Sequence, residues 1–125
     1  MISNELFGWI SVLGGLVMGL VMGIKFQREE WLGGYGAFPR RMVRLAHVAL
    51  VALGMINIQF AQSAARLHLG PQVESVASLA FIAAAVLMPA CCLLLAARRK
   101  HFEIFAAPIV CLATGLILTV GGLIQ

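Results

Sequence analysis

Four long runs of apolar residues, separated by short polar connections, dominate the pattern along the chain. The runs cover about residues 7–24, 43–61, 76–97 and 104–124, and the connections cover 25–42, 62–75 and 98–103. Each run approaches the roughly 20 apolar residues that a helix needs to cross a bilayer. None alternates polar and apolar residues as barrel strands do. The pattern predicts an all-α, polytopic membrane protein, with four transmembrane helices in an antiparallel bundle and one membrane domain over 1–125.

Composition removes most functions that need a water-soluble domain. The chain has 125 residues, of which 62% are hydrophobic and 11% are charged, against about 45–50% and about 25% in ordinary globular domains. All five acidic residues lie at or beyond the ends of the apolar runs, so no carboxylate lies within the first run, where a proton-coupled exporter needs one. Adjacent cysteines on one helix point about 100° apart. We therefore predict neither an enzyme nor a metal site.

The positions of Lys and Arg predict the orientation in the membrane. Eight of the nine lie beside the first and third connections, namely Lys25, Arg28, Arg40, Arg41, Arg44, Arg98, Arg99 and Lys100. Connections rich in Lys and Arg stay in the cytoplasm. Both termini are therefore predicted outside, in the periplasm of a bacterium, which makes this a protein of the bacterial inner membrane. The net charge of +4 then reflects topology and attraction to anionic lipids, and no nucleic-acid partner is predicted.

Glycines mark the most specific packing pattern in the chain. Gly15, Gly19 and Gly23 form a doubled small-xxx-small motif in the first run, and Gly54 lies in the second. Glycine lets two helix backbones approach closely in a membrane. The helix that packs there is either another helix of this chain or one from another protein.

His47 is the ionisable residue that lies clearly inside an apolar run. It shares a heptad stripe with Gly54, so we expect its ring to face protein. A neutral imidazole can ligate haem iron or bond a quinone carbonyl, so His47 is a candidate for binding haem b or a quinone. His101, at headgroup level, is the candidate second ligand. The alternative is that His47 bonds a backbone carbonyl or a neighbouring hydroxyl group and has only a structural role.

Aromatic and basic residues alternate in the first basic connection. Trp31, Tyr35 and Phe38 are followed by Arg40 and Arg41. Aromatic side chains prefer the headgroup layer, so one interpretation is a loop lying along the membrane surface. The other is a docking patch for a neighbouring subunit.

These patterns favour a small accessory subunit that helps a larger membrane complex to assemble and pack, in respiratory or photosynthetic electron transport. Its expected partners are other integral membrane subunits. A haem- or quinone-binding electron-transfer subunit that uses His47 is the alternative. A small channel or transporter is less favoured, because no polar series lines any run.

Overall fold

Four long helices make up most of the described chain, which a computed structural model covers at residues 3–67, 69–98 and 101–124. They are α1 (Asn4–Lys25), α2 (Phe38–Ala64), α3 (Pro71–Ala97) and α4 (Ala106–Ile124), with 3-10 turns at Trp31–Gly33 and Phe102–Phe105. The described residues contain no strand. All four helices, the last counted with the turn before it, are long and apolar enough to cross a membrane. The prediction of an all-helical fold with four helices able to span a membrane is therefore confirmed for the described residues.

Three of the helices begin before the apolar runs that predicted them. Ser3 caps α1, because its hydroxyl oxygen accepts a hydrogen bond from the Leu6 backbone N–H at 3.2 Å. Proline stands in the first turn of α2 and of α3, where its fixed φ suits a helix and its missing N–H costs nothing. The first two predicted connections are therefore shorter than expected, and Phe38, Arg40 and Arg41 belong to α2. Hydropathy marks the part of a helix that suits lipid, whereas caps mark where the helix begins.

Consecutive helices pack against each other, and α1 also touches α3. Along the α1–α2 seam, Gly8 meets Gly54 near one end while Gly19 meets His47 near the other. Helices α1 and α2 therefore run in opposite directions along this seam.

The centre of the fold lies between α2 and α3. One apolar cluster contains Ala49, Leu53 and Ala85. The other contains Phe60, Ala77 and Phe81, with the two phenyl rings 5.0 Å apart. Helix α4 packs on α3 through Gly115, where a Cβ atom would lie 2.8 Å from the Phe81 ring. Helices α1 and α4 lie at the two sides of this centre, and their outward faces carry large exposed apolar side chains.

Candidate functional sites

The α1–α2 seam is built on small residues. A Cβ atom on Gly8 would lie 2.6 Å from the Gly54 carbonyl oxygen, and one on Gly15 would lie 2.5 Å from a Val51 methyl group. Between these glycines, the Ser11 hydroxyl donates a hydrogen bond to the Leu50 carbonyl oxygen at 2.8 Å. The two backbones can approach this closely only because no larger side chain separates them.

The three predicted glycines of α1 have different surroundings. Gly15 and Gly19 lie in the seam with α2, whereas a Cβ atom on Gly23 would have no neighbour within 4 Å among the described residues. The reason is helical geometry. A step of four residues rotates the direction in which a side chain points by about 40° around the helix axis, and two such steps rotate it by about 80°. Gly23 therefore lies at the edge of the face that Gly15 presents to α2.

The buried face of α1 instead follows a heptad-like spacing. Its members are Asn4, Gly8, Ser11, Gly15 and Met22. Alternating steps of three and four residues keep a stripe on one side of a helix. Sequence reasoning missed Asn4, Gly8 and Ser11, although this spacing of small and polar residues was a signal that could have found them.

His47 lies in the same seam, half-buried against α1. Its Nδ1 atom is 2.8 Å from the Gly15 carbonyl oxygen, and a Cβ atom on Gly19 would lie 2.8 Å from the ring atom Cε1. A carbonyl oxygen only accepts hydrogen bonds, so Nδ1 carries the proton, and in the neutral ring Nε2 is the unprotonated nitrogen. This tautomer suits both a structural histidine and a metal-ligating one.

His101 lies elsewhere, in the turn before α4. Its backbone is left-handed, with φ 67°, and Nδ1 lies 3.1 Å from a carboxylate oxygen of Glu103. Both side chains are largely exposed. Among the described residues, no group of three or more His, Cys, Asp or Glu side chains could hold a metal ion.

Three buried polar side chains form a cluster that joins α1, α2 and α3. The Asn4 amide donates to the Asn57 side-chain oxygen at 2.8 Å and to the Ser78 carbonyl oxygen at 3.1 Å. The Ser78 hydroxyl donates to the Asn4 side-chain oxygen at 2.5 Å. The Asn57 amide donates to the carbonyl oxygens of Leu53 and Phe81 at 2.9 and 3.2 Å. The side chains thus bond to one another and to backbone of α2 and α3.

A cavity of about 400 Å³ lies beside this cluster. Glu5 of α1 and Glu74 of α3 contribute carboxylates to its wall, and Phe60 contributes an apolar surface. Both acids are exposed. The cavity is therefore a polar, open recess at the end of the molecule where α1 and α3 begin.

At the other end of the helices, Arg40 organises the loop between α1 and α2. Its side chain is only 3% exposed, and it donates to the carbonyl oxygens of Glu29 at 3.2 Å and Phe26 at 3.3 Å. The guanidinium group also lies over the Phe26 ring, 4.2 Å from its centre. The Trp31 ring contacts the Phe26 ring, with their centres 5.6 Å apart.

The other residues predicted for partner docking lie around Arg40. Tyr35 is 71% exposed and lies beneath the Arg44 guanidinium group, 4.4 Å from ring centre to Cζ. Phe38 contacts Phe102 edge-on at 5.9 Å, and the exposed Arg41 lies 6.0 Å from the Phe38 ring. The structure therefore brings together Trp31, Tyr35 and Arg40, while Phe38 faces the turn before α4. Arg99 and Lys100 of the second basic connection lie outside the described residues.

Comparison with known proteins found no matching family model, no matching curated protein and no matching solved structure.

Proposed function

We propose that this chain is a small accessory subunit that packs into a larger integral membrane complex, of the kind that carries out respiratory or photosynthetic electron transport. One observation carries the proposal: the polar side chains buried inside the helices bond to neighbouring helices. Ser11 and His47 bond across the α1–α2 seam, and Asn4, Asn57 and Ser78 join α1, α2 and α3. These groups stabilise the chain's own packing, which is what a structural subunit requires.

Energetics support this interpretation. Hydrogen bonds between helices in membranes stabilise packing by about 0.6 kcal/mol each on average, so several bonds together with glycine packing hold three helices in a defined arrangement. A channel or transporter would need polar groups that face a continuous path. Asn57 has no exposed surface and is bonded to both neighbouring helices, which favours packing over transport.

The proposed arrangement is an antiparallel four-helix bundle with both termini in the periplasm of a bacterium. It is supported by the basic residues beside the loop between α1 and α2 and beside the turn before α4, since such connections stay in the cytoplasm. Single cysteines replacing Gln27 and Gln72, in a background without the native cysteines, test this topology. A membrane-impermeant maleimide should label the second from outside and the first only after the membrane is opened. Labelling of both from one side would refute the arrangement.

The partner surfaces in this proposal are the Arg40 loop and the apolar outer faces of α1 and α4. The loop presents an exposed aromatic ring at Tyr35 and a cation at Arg41, a combination that suits either a neighbouring subunit or the anionic headgroups of the cytoplasmic leaflet. The outer face of α4 carries large exposed apolar side chains such as Ile117 and Leu123.

The test is purification of the tagged full chain in a mild detergent, followed by native gel electrophoresis and mass spectrometry. We expect the chain to migrate with the same larger membrane proteins in independent preparations. A photo-crosslinking residue at Ile117 should capture one of those proteins, whereas the same residue at the buried Phe81 should not. A folded, monodisperse chain that migrates alone would refute the subunit proposal.

A second candidate is an electron-transfer subunit in which His47 holds haem b or a quinone. The hydrogen bond of His47 is compatible with this role, because a histidine that donates from Nδ1 to a carbonyl oxygen leaves Nε2 able to ligate iron or accept a bond. A reduced-minus-oxidised visible spectrum of the purified protein should then show a haem band that is lost in His47→Ala and kept in His101→Ala. An empty spectrum in the wild type would exclude the haem version.

A further inference from the structure

We infer that Arg40 and Arg44 form a binding site for a phosphate group, which the headgroup of an anionic phospholipid would supply. The inference deepens the proposed function, since it rests on the same membrane orientation and identifies the residues that would contact an acidic lipid. It begins from a buried cation that has no anionic partner in the described part of the chain.

The charge of Arg40 is buried and incompletely satisfied. Two of its nitrogens bond carbonyl oxygens, but Nε is buried without a hydrogen-bond partner among the described residues. The ion pair found within residues 3–67, 69–98 and 101–124 joins His101 and Glu103, so no described carboxylate pairs with Arg40. A buried charge is costly unless an opposite charge and hydrogen bonds compensate it.

Arg44 repeats this situation one helical turn further along α2. Its Nη1 atom is also buried and has no partner in the described structure. The Tyr35 ring lies within reach of both guanidinium groups, with its centre 4.4 Å from Cζ of Arg44 and 5.8 Å from Cζ of Arg40. Two like charges four residues apart on a helix repel each other. An anion between them would remove this repulsion and satisfy both nitrogens.

Space for such an anion exists beside Arg40, and Arg44, which is not part of that cavity wall, borders it through the Tyr35 ring. A cavity of about 470 Å³ is lined by Phe26, Glu29, Gly34, Tyr35 and Arg40. Glu29 and Tyr35 are the exposed residues of this wall, so the ligand would enter beside Glu29 by displacing the Tyr35 ring from the guanidinium groups. Arginine nitrogens match the oxygens of a phosphate through charge-assisted hydrogen bonds. A phosphate group therefore fits the donors and the position near the headgroup layer.

Among the described residues of the cavity wall, Glu29 alone carries a carboxylate. Its side chain is exposed, and it would repel a bound phosphate. The proposal therefore predicts that Glu29→Gln strengthens binding, whereas loss of either arginine weakens it.

The experiment follows Trp31 fluorescence in the purified full chain, with Trp9→Phe as background so that one tryptophan reports. Trp31 packs on the Phe26 ring that lies under Arg40, so occupation of the site should change its emission. Phosphatidylglycerol is titrated into phosphatidylcholine micelles or nanodiscs that hold the protein. A second arm titrates glycerol phosphate. Saturation with phosphatidylglycerol alone identifies a lipid headgroup, and saturation in both arms supports the phosphate site with a soluble ligand as its source.

Arg44→Gln is the decisive variant, because the Arg44 side chain makes no hydrogen bond in the described structure and its loss leaves the loop contacts of Arg40 intact. We expect it to weaken binding about tenfold, the effect of losing one charge-assisted hydrogen bond. Arg41→Gln removes the same charge from an exposed neighbour and should change affinity by less than about twofold. Equal weakening by Arg44→Gln and Arg41→Gln would overturn the site in favour of diffuse attraction, as would equal responses to phosphatidylglycerol and phosphatidylcholine. Neither result bears on co-purification, so this inference and the subunit proposal can fail separately.

Discussion

Adding one methyl group at Gly8 should separate α1 from α2. In Gly8→Ala the new Cβ atom would lie 2.6 Å from the Gly54 carbonyl oxygen and from the Ile58 side chain. This is about 0.8 Å short of the 3.4 Å at which ordinary van der Waals contact begins. The oxygen belongs to helix backbone and cannot turn aside as a flexible side chain can, so α1 must move.

The cost of this movement can be estimated from the contacts that it disturbs. Overpacking of this kind costs about 1–3 kcal/mol. A shift of about 0.8 Å would also stretch the 2.8 Å bond between Ser11 and Leu50 beyond the usual limit of about 3.0 Å for a hydroxyl donor, at about 0.6 kcal/mol. Alanine returns up to about 1 kcal/mol through its better helix propensity. We expect Gly8→Ala to lower the free energy of unfolding by about 1–3 kcal/mol overall.

Gly14→Ala is the matched control, because it makes the same change in the same helix where a Cβ atom would meet no described neighbour within 4 Å. It should leave stability unchanged or raise it by up to about 1 kcal/mol. Unfolding by sodium dodecyl sulfate in mixed micelles, followed by near-ultraviolet circular dichroism, measures both. If Gly8→Ala unfolds at the same detergent fraction as Gly14→Ala, the close seam between α1 and α2 is refuted.

Two further predictions concern the polar contacts. Gly19→Ala would place its methyl group 2.8 Å from the His47 ring and should displace that ring. Nitrogen NMR of the imidazole can detect the displacement as a changed tautomer ratio, whereas Gly23→Ala, whose methyl group meets no described neighbour, should leave the spectrum unchanged. Identical spectra for both variants would contradict the placement of His47. Asn57→Ala removes two hydrogen bonds between helices and should lower the free energy of unfolding by about 1–3 kcal/mol. Gln59→Ala, at an exposed position, should change that free energy by less than about 0.5 kcal/mol. Equal losses of stability for the two variants in the same detergent titration would show that the polar cluster contributes nothing specific.

Much of the helical architecture followed from simple patterns, and its boundaries did not. Hydropathy located all four helices, yet the predicted second helix began about five residues after Phe38. A window of apolar residues measures suitability for lipid, whereas the helix continues as far as a cap or proline permits. The same limit explains why Phe38, Arg40 and Arg41 were expected in a loop.

The contacts that build the candidate sites could not be predicted from local sequence patterns, because the residues in contact lie on different helices. Spacing identified Gly15, Gly19 and His47 as residues of interest, but their mutual contact depends on how α1 and α2 lie against each other. The burial of Arg40 was equally hidden, because a run of arginines at a membrane surface predicts exposed charges. Arg40 is enclosed only because the loop between α1 and α2 folds back and places the Phe26 ring against its guanidinium group.

By itself the sequence determined that four helices are apolar enough for lipid and about where each one lies, because the energy of placing apolar side chains in lipid is a sum over residues and needs no knowledge of neighbours. The tertiary structure alone decided which glycines lie in a seam, which polar groups are satisfied and which cation is enclosed. Those outcomes depend on distances between residues as far apart as Asn4 and Ser78, and such distances arise only when the helices pack.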